Sequence, residues 1–200
     1  MAQNETTADR QATIRAAAFR MFGTYGLRRT TMDDIAKAAG LSRGALYVHF
    51  RNKEDIFRSL AEQHFAEVTG EVARELETPG RDVATTLLAA FVAKDGRFMD
   101  IVLETPHGRE ILDAGLSLSK DFAAPGEARI IAAFAAYFAP LHPSPEIGPP
   151  EALAQTVMDG LVGLKIAATD LPSYRESQAR FARLLAIALA RPGGGQLRRQ

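Results

Sequence analysis

The chain has 200 residues, of which 46% are hydrophobic and 24% charged, with no cysteine and a formal net charge of +0. Such a composition supports a buried core and excludes disulfides and thiolate metal sites. The opening MAQNETTADR has no apolar h-region, and no apolar run approaches roughly 18 residues, so the expectation is a cytoplasmic chain with no membrane partner. The charge is unevenly placed. Residues 1–58 carry 10 Lys and Arg against 6 Asp and Glu, and residues 59–200 carry 14 against 18. A basic front suits a polyanionic surface that the back need not touch.

The apolar pattern is helical nearly throughout. Ile14, Ala17, Ala18, Met21, Phe22 and Tyr25 form one stripe at three- and four-residue spacing, which Gly26 ends. A short second helix is predicted over about 32–39. Thr31 is its cap, Asp34 the carboxylate of a capping box, and Gly40 the stop. Ser42 caps a third helix, about 43–48. Asn52 caps a fourth, with Lys53, Glu54 and Asp55 in its first turn. That helix is long, carrying Ile56, Leu60, Phe65, Val68, Val72 and Leu76 up to Pro79-Gly80. Its length predicts mechanical coupling between front and back. Further helices are predicted over 82–94, 98–104, 108–123, 127–139, 150–169 and 174–190, with a proline-rich loop at 140–150. The division expected is a front domain over 1–55, a helical back domain over 56–192 and a flexible tail over 193–200.

Residues 30–57 have the logic of a two-helix corner. Ile35, Ala39, Leu41 and Leu46 face inward, Ala36 permits a close crossing, and Gly40 makes the turn. The third helix then presents its N-terminal half to a major groove. There Ser42 and Arg43 are exposed, and Arg43 can reach guanine or a phosphate, or stand as an ordinary surface arginine. Gly44 leaves room for the duplex, and Ala45 suits a thymine methyl group. Tyr47 faces a phosphate or lies partly in the core, and His49 contacts a phosphate or merely caps and packs. Phe50 is assigned to the core. Lys53 and Thr31 add contacts at the starts of their helices. Arg28 and Arg29 anchor the nearby backbone or are solvated charges.

These features resemble the DNA-binding domain of the tetracycline-repressor (TetR) family of bacterial regulators. The resemblance covers residues 12–57, about a quarter of the chain. It runs through Tyr25-Gly26, Thr30-Thr31, Ile35-Ala36 and Ala39-Gly40. Ser42, Gly44, Leu46, Tyr47, His49, Phe50 and Lys53-Glu54 complete it. Asp33, Asp34 and the bulky Arg51 are departures that bear on operator preference or salt dependence. The resemblance implies an all-α fold of about nine helices, with an N-terminal three-helix helix-turn-helix domain and a C-terminal effector-binding and dimerisation domain. It also implies a homodimer on palindromic double-stranded DNA and a small apolar or amphipathic effector that releases it. An activator, or a regulator without a ligand, would share the same front.

In the back domain, Phe91, Phe98, Met99, Phe122, Phe134 and Tyr137 line a ligand pocket or are simply core, and Glu104 and His107 supply polar contacts or lie at the surface. The last two helices carry wide apolar faces that include Val157, Leu161, Leu164, Phe181, Leu184, Leu185 and Ala188. Gly160 and Gly163 suit close packing, either in a four-helix dimer interface or in an internal hairpin. His64 and His107 lack metal-ligand spacing. An all-helical enzyme would need convergent titratable groups. There is no glycine-rich phosphate loop, no His-Glu-x-x-His and only 4 histidines. The expectation is therefore no enzyme, no cofactor and no metal.

Overall fold

The computed structural model describes residues 6–95, 98–118 and 124–190; Phe122 and the tail over 193–200 lie outside them. Those residues form α1 (Thr7–Tyr25), α2 (Met32–Ala38), α3 (Arg43–His49), α4 (Lys53–Glu77), α5 (Val83–Asp95), α6 (Phe98–Glu104), α7 (Gly108–Leu118), α8 (Ala124–Phe138), α9 (Pro150–Ala167) and α10 (Leu171–Leu189). One 3-10 turn, Ala139–Leu141, follows α8. The fold is all-α, as the pattern predicts, with ten α-helices among the described residues. Helix α10 begins at Leu171 rather than 174, because Asp170 accepts the Ser173 amide at 2.8 Å and caps it. Helix α8 begins at Ala124 rather than 127, because Pro125 sits in the first turn, where its missing N–H costs nothing.

The residues gather into two compact units that do not follow chain order: Met1–Glu67 with Gly96–Glu127, and Val68–Asp95 with Ala128–Gln200. Helix α4 is continuous across the chain boundary between them. The first unit encloses a core of Ile14, Ala18 and Phe22 from α1, Ile35 and Ala36 from α2, Leu46 from α3, and Ile56 and Phe57 from α4. Ile111 of α7 completes that core at 0% exposure. Helices α6 and α7 are also tied to the end of α1. The His107 amide donates to the Gly23 carbonyl at 3.0 Å, and the Arg28 amide donates to Glu110 Oε1 at 2.8 Å. The three front helices are thus finished by a segment far along the chain.

In the second unit, α10 packs on α5 and α9. Phe91 lies 5.9 Å from Phe134 and 5.7 Å from Phe181, ring centre to ring centre, and Phe134 stacks on Phe138. Within this apolar interior Asp95, 1% exposed, collects several partners. Lys165 Nζ stands at 2.7 Å, and the Tyr174 hydroxyl and Gln178 Nε2 donate at 2.6 and 2.7 Å. Burial pushes the Asp95 carboxyl up. The Lys165 and Lys94 ammoniums, with the Lys165 and Tyr174 hydrogen bonds, outweigh burial and hold it below the ordinary carboxylate range. Tyr174 is held well above the ordinary phenol value by burial, then by the Asp95 charge.

Candidate nucleic-acid interface

The front corner is built from locally satisfied ends. Thr31 and Asp34 form a reciprocal capping box on α2: the Asp34 amide donates to Thr31 Oγ1 at 3.2 Å, and the Thr31 amide donates to Asp34 Oδ2 at 2.9 Å. The Thr31 hydroxyl hydrogen bonds hold the Asp34 carboxyl below its ordinary range. At the other end of α2, Gly40 has φ +69°, the left-handed region that glycine enters without a side-chain clash. Its amide donates to the Lys37 carbonyl at 3.1 Å and the Leu41 amide to Ala36 at 2.9 Å, closing the helix with a Schellman pair. Two residues on, Ser42 Oγ accepts the Ala45 amide at 3.2 Å and starts α3. Asn52 Oδ1 accepts the Asp55 amide at 2.7 Å and starts α4.

Helix α3 is short, 7 residues, and is anchored by Leu46 at 0% and by Phe50 just beyond it at 6% exposure. With those two inward, the opposite side faces out. Ser42, Arg43 and Gly44 are exposed, and a Cβ added to Gly44 would meet nothing within 4 Å. Tyr47 is 42% exposed and Val48 81%. Arg43 lies across the Tyr47 ring with its guanidinium carbon 5.5 Å from the ring centre. Ala45 and His49 are half-buried, and Arg28 and Arg29 are exposed.

Two expected contacts have a second occupation. Lys53 donates its ammonium to the carbonyls of Leu27, Arg28 and Thr30 at 2.8, 3.0 and 3.3 Å, so it secures the loop before α2. The Thr31 hydroxyl donates to Asp34 Oδ2 at 2.6 Å within the capping box. Val48 is not among the contacts expected from the sequence, and Asp33 is read there only as a departure that bears on operator preference or salt dependence. The outward position of Val48 is readable from the inward pair Leu46 and Phe50, but the Asp33 side chain gains its meaning from a partner on another helix.

The residues expected to line a pocket fall in both units. In the first, Phe98 is half-buried and stacks on Phe19 at 6.4 Å, Met99 is buried, and Glu104 is exposed. His107 Nδ1 stands 3.8 Å from Glu110 Oε2. In the second, Phe91 and Phe134 are fully buried among other rings, and Tyr137 is half-buried. Burial pushes the Tyr137 phenol up. Among the residues expected at a subunit interface, Val157 and Leu161 are 0% and 1% exposed within their own chain. Their neighbours account for them without a second subunit. Leu164, Phe181 and Leu185 are half-buried, and Ala188 is exposed. Leu184 is 59% exposed and Ile187, three residues on, 73%; Ile166 of α9 is 48% exposed.

Among the described residues no helix is long and apolar enough to cross a membrane, and no group of three or more His, Asp or Glu is placed to hold a metal ion.

The capped two-helix corner with its outward-facing third helix has the frame of a helix-turn-helix within an all-helical fold. Residues 14–60 match the family model described as bacterial regulatory proteins, tetR family. Over those residues the chain is similar to the TetR family of transcriptional regulators. It is 33% identical over 96 residues to the HTH-type transcriptional regulator AcrR of Shigella flexneri, a match covering 42% of this chain and 44% of that one. The matched segment therefore spans less than half of that relative. Solved structures match over more of the length. SmeT, the repressor of the Stenotrophomonas maltophilia multidrug efflux pump SmeDEF, superposes with a TM-score of 0.63 at 22% identity over 89% of this chain and 88% of that one. A transcriptional regulator from Rhodococcus sp. Rha1 does so with a TM-score of 0.68 at 20% identity over 88% and 95%. At these identities the likeness carries the fold.

Proposed function

We propose that this chain is a dimeric, sequence-specific DNA-binding transcriptional repressor that a small apolar or amphipathic molecule releases from a palindromic operator. One observation carries the reading: α3 holds Ser42, Arg43, Gly44, Tyr47 and Val48 outward while Leu46 and Phe50 pin it from beneath. Arg43 reads a base edge with its guanidinium fork, Ala45 and Val48 offer apolar contact to thymine methyl groups, and Tyr47 and His49 address phosphates. Arg28 and Arg29 add charge to the flank. Repression is supported by SmeT, a repressor that shares the fold.

Dimerisation is supported by the exposed Ile166, Leu184 and Ile187 on α9 and α10, a set of apolar side chains that a second subunit would cover. The proposed interface is centred on these with Leu164, Leu185 and Ala188. For the effector, the aromatic interior around Phe91, Phe134 and Tyr137 supplies apolar and amphipathic chemistry; ligand binding acts on DNA only through a difference in affinity for two conformations.

The test is fluorescence anisotropy of the full chain on duplexes selected from a randomised pool and on the region upstream of its own gene. Salt-sensitive binding that prefers a two-fold symmetric sequence is expected. Folded protein with no sequence preference would overturn the reading. Adding a panel of apolar and amphipathic molecules tests release; an affinity unchanged throughout removes the effector from the proposal. Arg43→Ala is expected to weaken the selected site by about 1–3 kcal/mol and a scrambled duplex much less.

A further inference from the structure

The two acidic residues at the start of α2 are adjacent in sequence but do different work. Asp34 is consumed by the capping box with Thr31. Asp33 turns instead to the reading helix. Its Oδ1 lies 3.3 Å from Arg43 Nε, and its Oδ2 accepts from Arg43 Nη1 at 3.3 Å. The carboxylate therefore lies against the guanidinium through one hydrogen bond, from Nη1, with Nε at ion-pair distance, while the face of the same group lies across Tyr47. A guanidinium has five N–H donors in a rigid fork, and this contact takes one of the two on Nη1. The second Nη1 hydrogen and those of Nη2 remain for guanine O6 and N7.

We infer that Asp33 is a specificity-determining residue that holds Arg43 for a guanine edge and penalises its use on a phosphate. The inference rests on the reading of Arg43 as a base contact. In the free protein the pair is solvated, with side-chain exposures of 66% and 47%, and such pairs hold weakly. The duplex changes that balance. Water leaves the interface, the effective dielectric falls, and the attraction between Asp33 and Arg43 grows. If Arg43 swings to a phosphate instead, the Asp33 carboxylate is left unpaired beside a polyanion. That mode is disfavoured by repulsion, whereas end-on reading of guanine keeps the pair intact. Discrimination of this kind comes from raising the energy of the wrong complex as well as lowering that of the right one.

The experiment uses the full chain and two duplexes of equal length: a site selected from a randomised pool by the unmodified protein, and its scrambled version. Wild type, Asp33→Asn, Asp33→Ala, Arg43→Ala and Asp33→Ala with Arg43→Ala are compared by anisotropy across a salt series. Every single base substitution in the selected site is also measured, and circular dichroism checks folding. Asp33→Asn and Asp33→Ala are expected to lower the selected-to-scrambled affinity ratio about tenfold, chiefly by strengthening binding to scrambled DNA. They should also flatten the guanine preference at one position of each half-site and steepen the salt dependence. In the Arg43→Ala background, removing Asp33 should leave the ratio unchanged. If the Asp33 variants strengthen both duplexes by one common factor, Asp33 acts only as a background charge and the inference fails. An unchanged ratio and base profile in the Asp33 variants overturns it as well. If Arg43→Ala itself leaves the ratio intact, the base-reading role of Arg43 fails, which is a separate result.

Discussion

At the scale of single residues, two glycines on one helix have opposite surroundings. A Cβ built on Gly160 would stand 2.7 Å from Phe181 Cζ, and that ring is stacked against Phe91. Gly160 thus packs inside the chain, where the sequence reading favours a four-helix subunit interface over an internal hairpin. Gly163, by contrast, has nothing within 4 Å of its added Cβ. Gly160→Ala should therefore lower stability, with about 1–3 kcal/mol of overpacking outweighing about 1 kcal/mol gained in helix propensity. Gly163→Ala should raise it by about 1 kcal/mol. Urea unfolding at matched protein concentration separates them by sign; a shared sign would mean that Phe181 yields freely or that Gly163 is covered in solution. The contrast also marks what can be read without coordinates. Caps such as Thr31, Ser42 and Asn52 are legible because their partners lie two or three residues away. The partner of Gly160, or of Asp33, lies on another helix and leaves no local trace.

At the scale of elements, existence was more legible than companionship. Apolar spacing located the helices, because one face of each must be buried. It could not reveal that α7 lends Ile111 to the front core, since periodicity says which face is inward but not what it meets. The same holds for α5, α9 and α10, which share Asp95. Asp95 sits on α5, Lys165 on α9, and Tyr174 and Gln178 one turn apart on α10. Taking one charge from such a buried pair strands the other. Asp95→Asn is expected to cost about 3–5 kcal/mol of unfolding free energy, and Tyr174→Phe about 1–2 kcal/mol through loss of a hydrogen bond to a charged acceptor. The pH dependence has a defined sign. Since the folded-state Asp95 carboxyl is held below its ordinary range, its contribution is complete above about pH 4 and lost as pH falls through the lower folded value. Asp95→Asn should flatten the acid limb of a stability-versus-pH curve. An acid limb identical to wild type would show that this carboxylate does not govern it.

At the scale of the whole molecule, the proposed function turns on how many copies of α3 meet one duplex. Helix α3 is 7 residues long and offers few base contacts. One copy leaves affinity dominated by non-specific charge, and the charge asymmetry of the chain favours only a modest basic front. Two copies set roughly 34 Å apart would double the contacts without a new one being added to either head. The exposed apolar side chains on the last two helices, Leu184 and Ile187 with Ile166, are the means proposed for joining them. A charge introduced there would face water in a monomer at little cost, but would be forced into an apolar contact in a dimer. Leu184→Glu combined with Ile187→Glu is therefore expected to leave the helical circular dichroism signal intact and give the mass of one subunit in sedimentation equilibrium. It should also reduce affinity for the selected two-fold site by at least about 100-fold while leaving half-site binding unaffected. A variant that sediments as a dimer would place the subunit contact elsewhere. A wild-type chain that binds the full site as a monomer, with the affinity of a half-site, would remove the need for a dimer altogether.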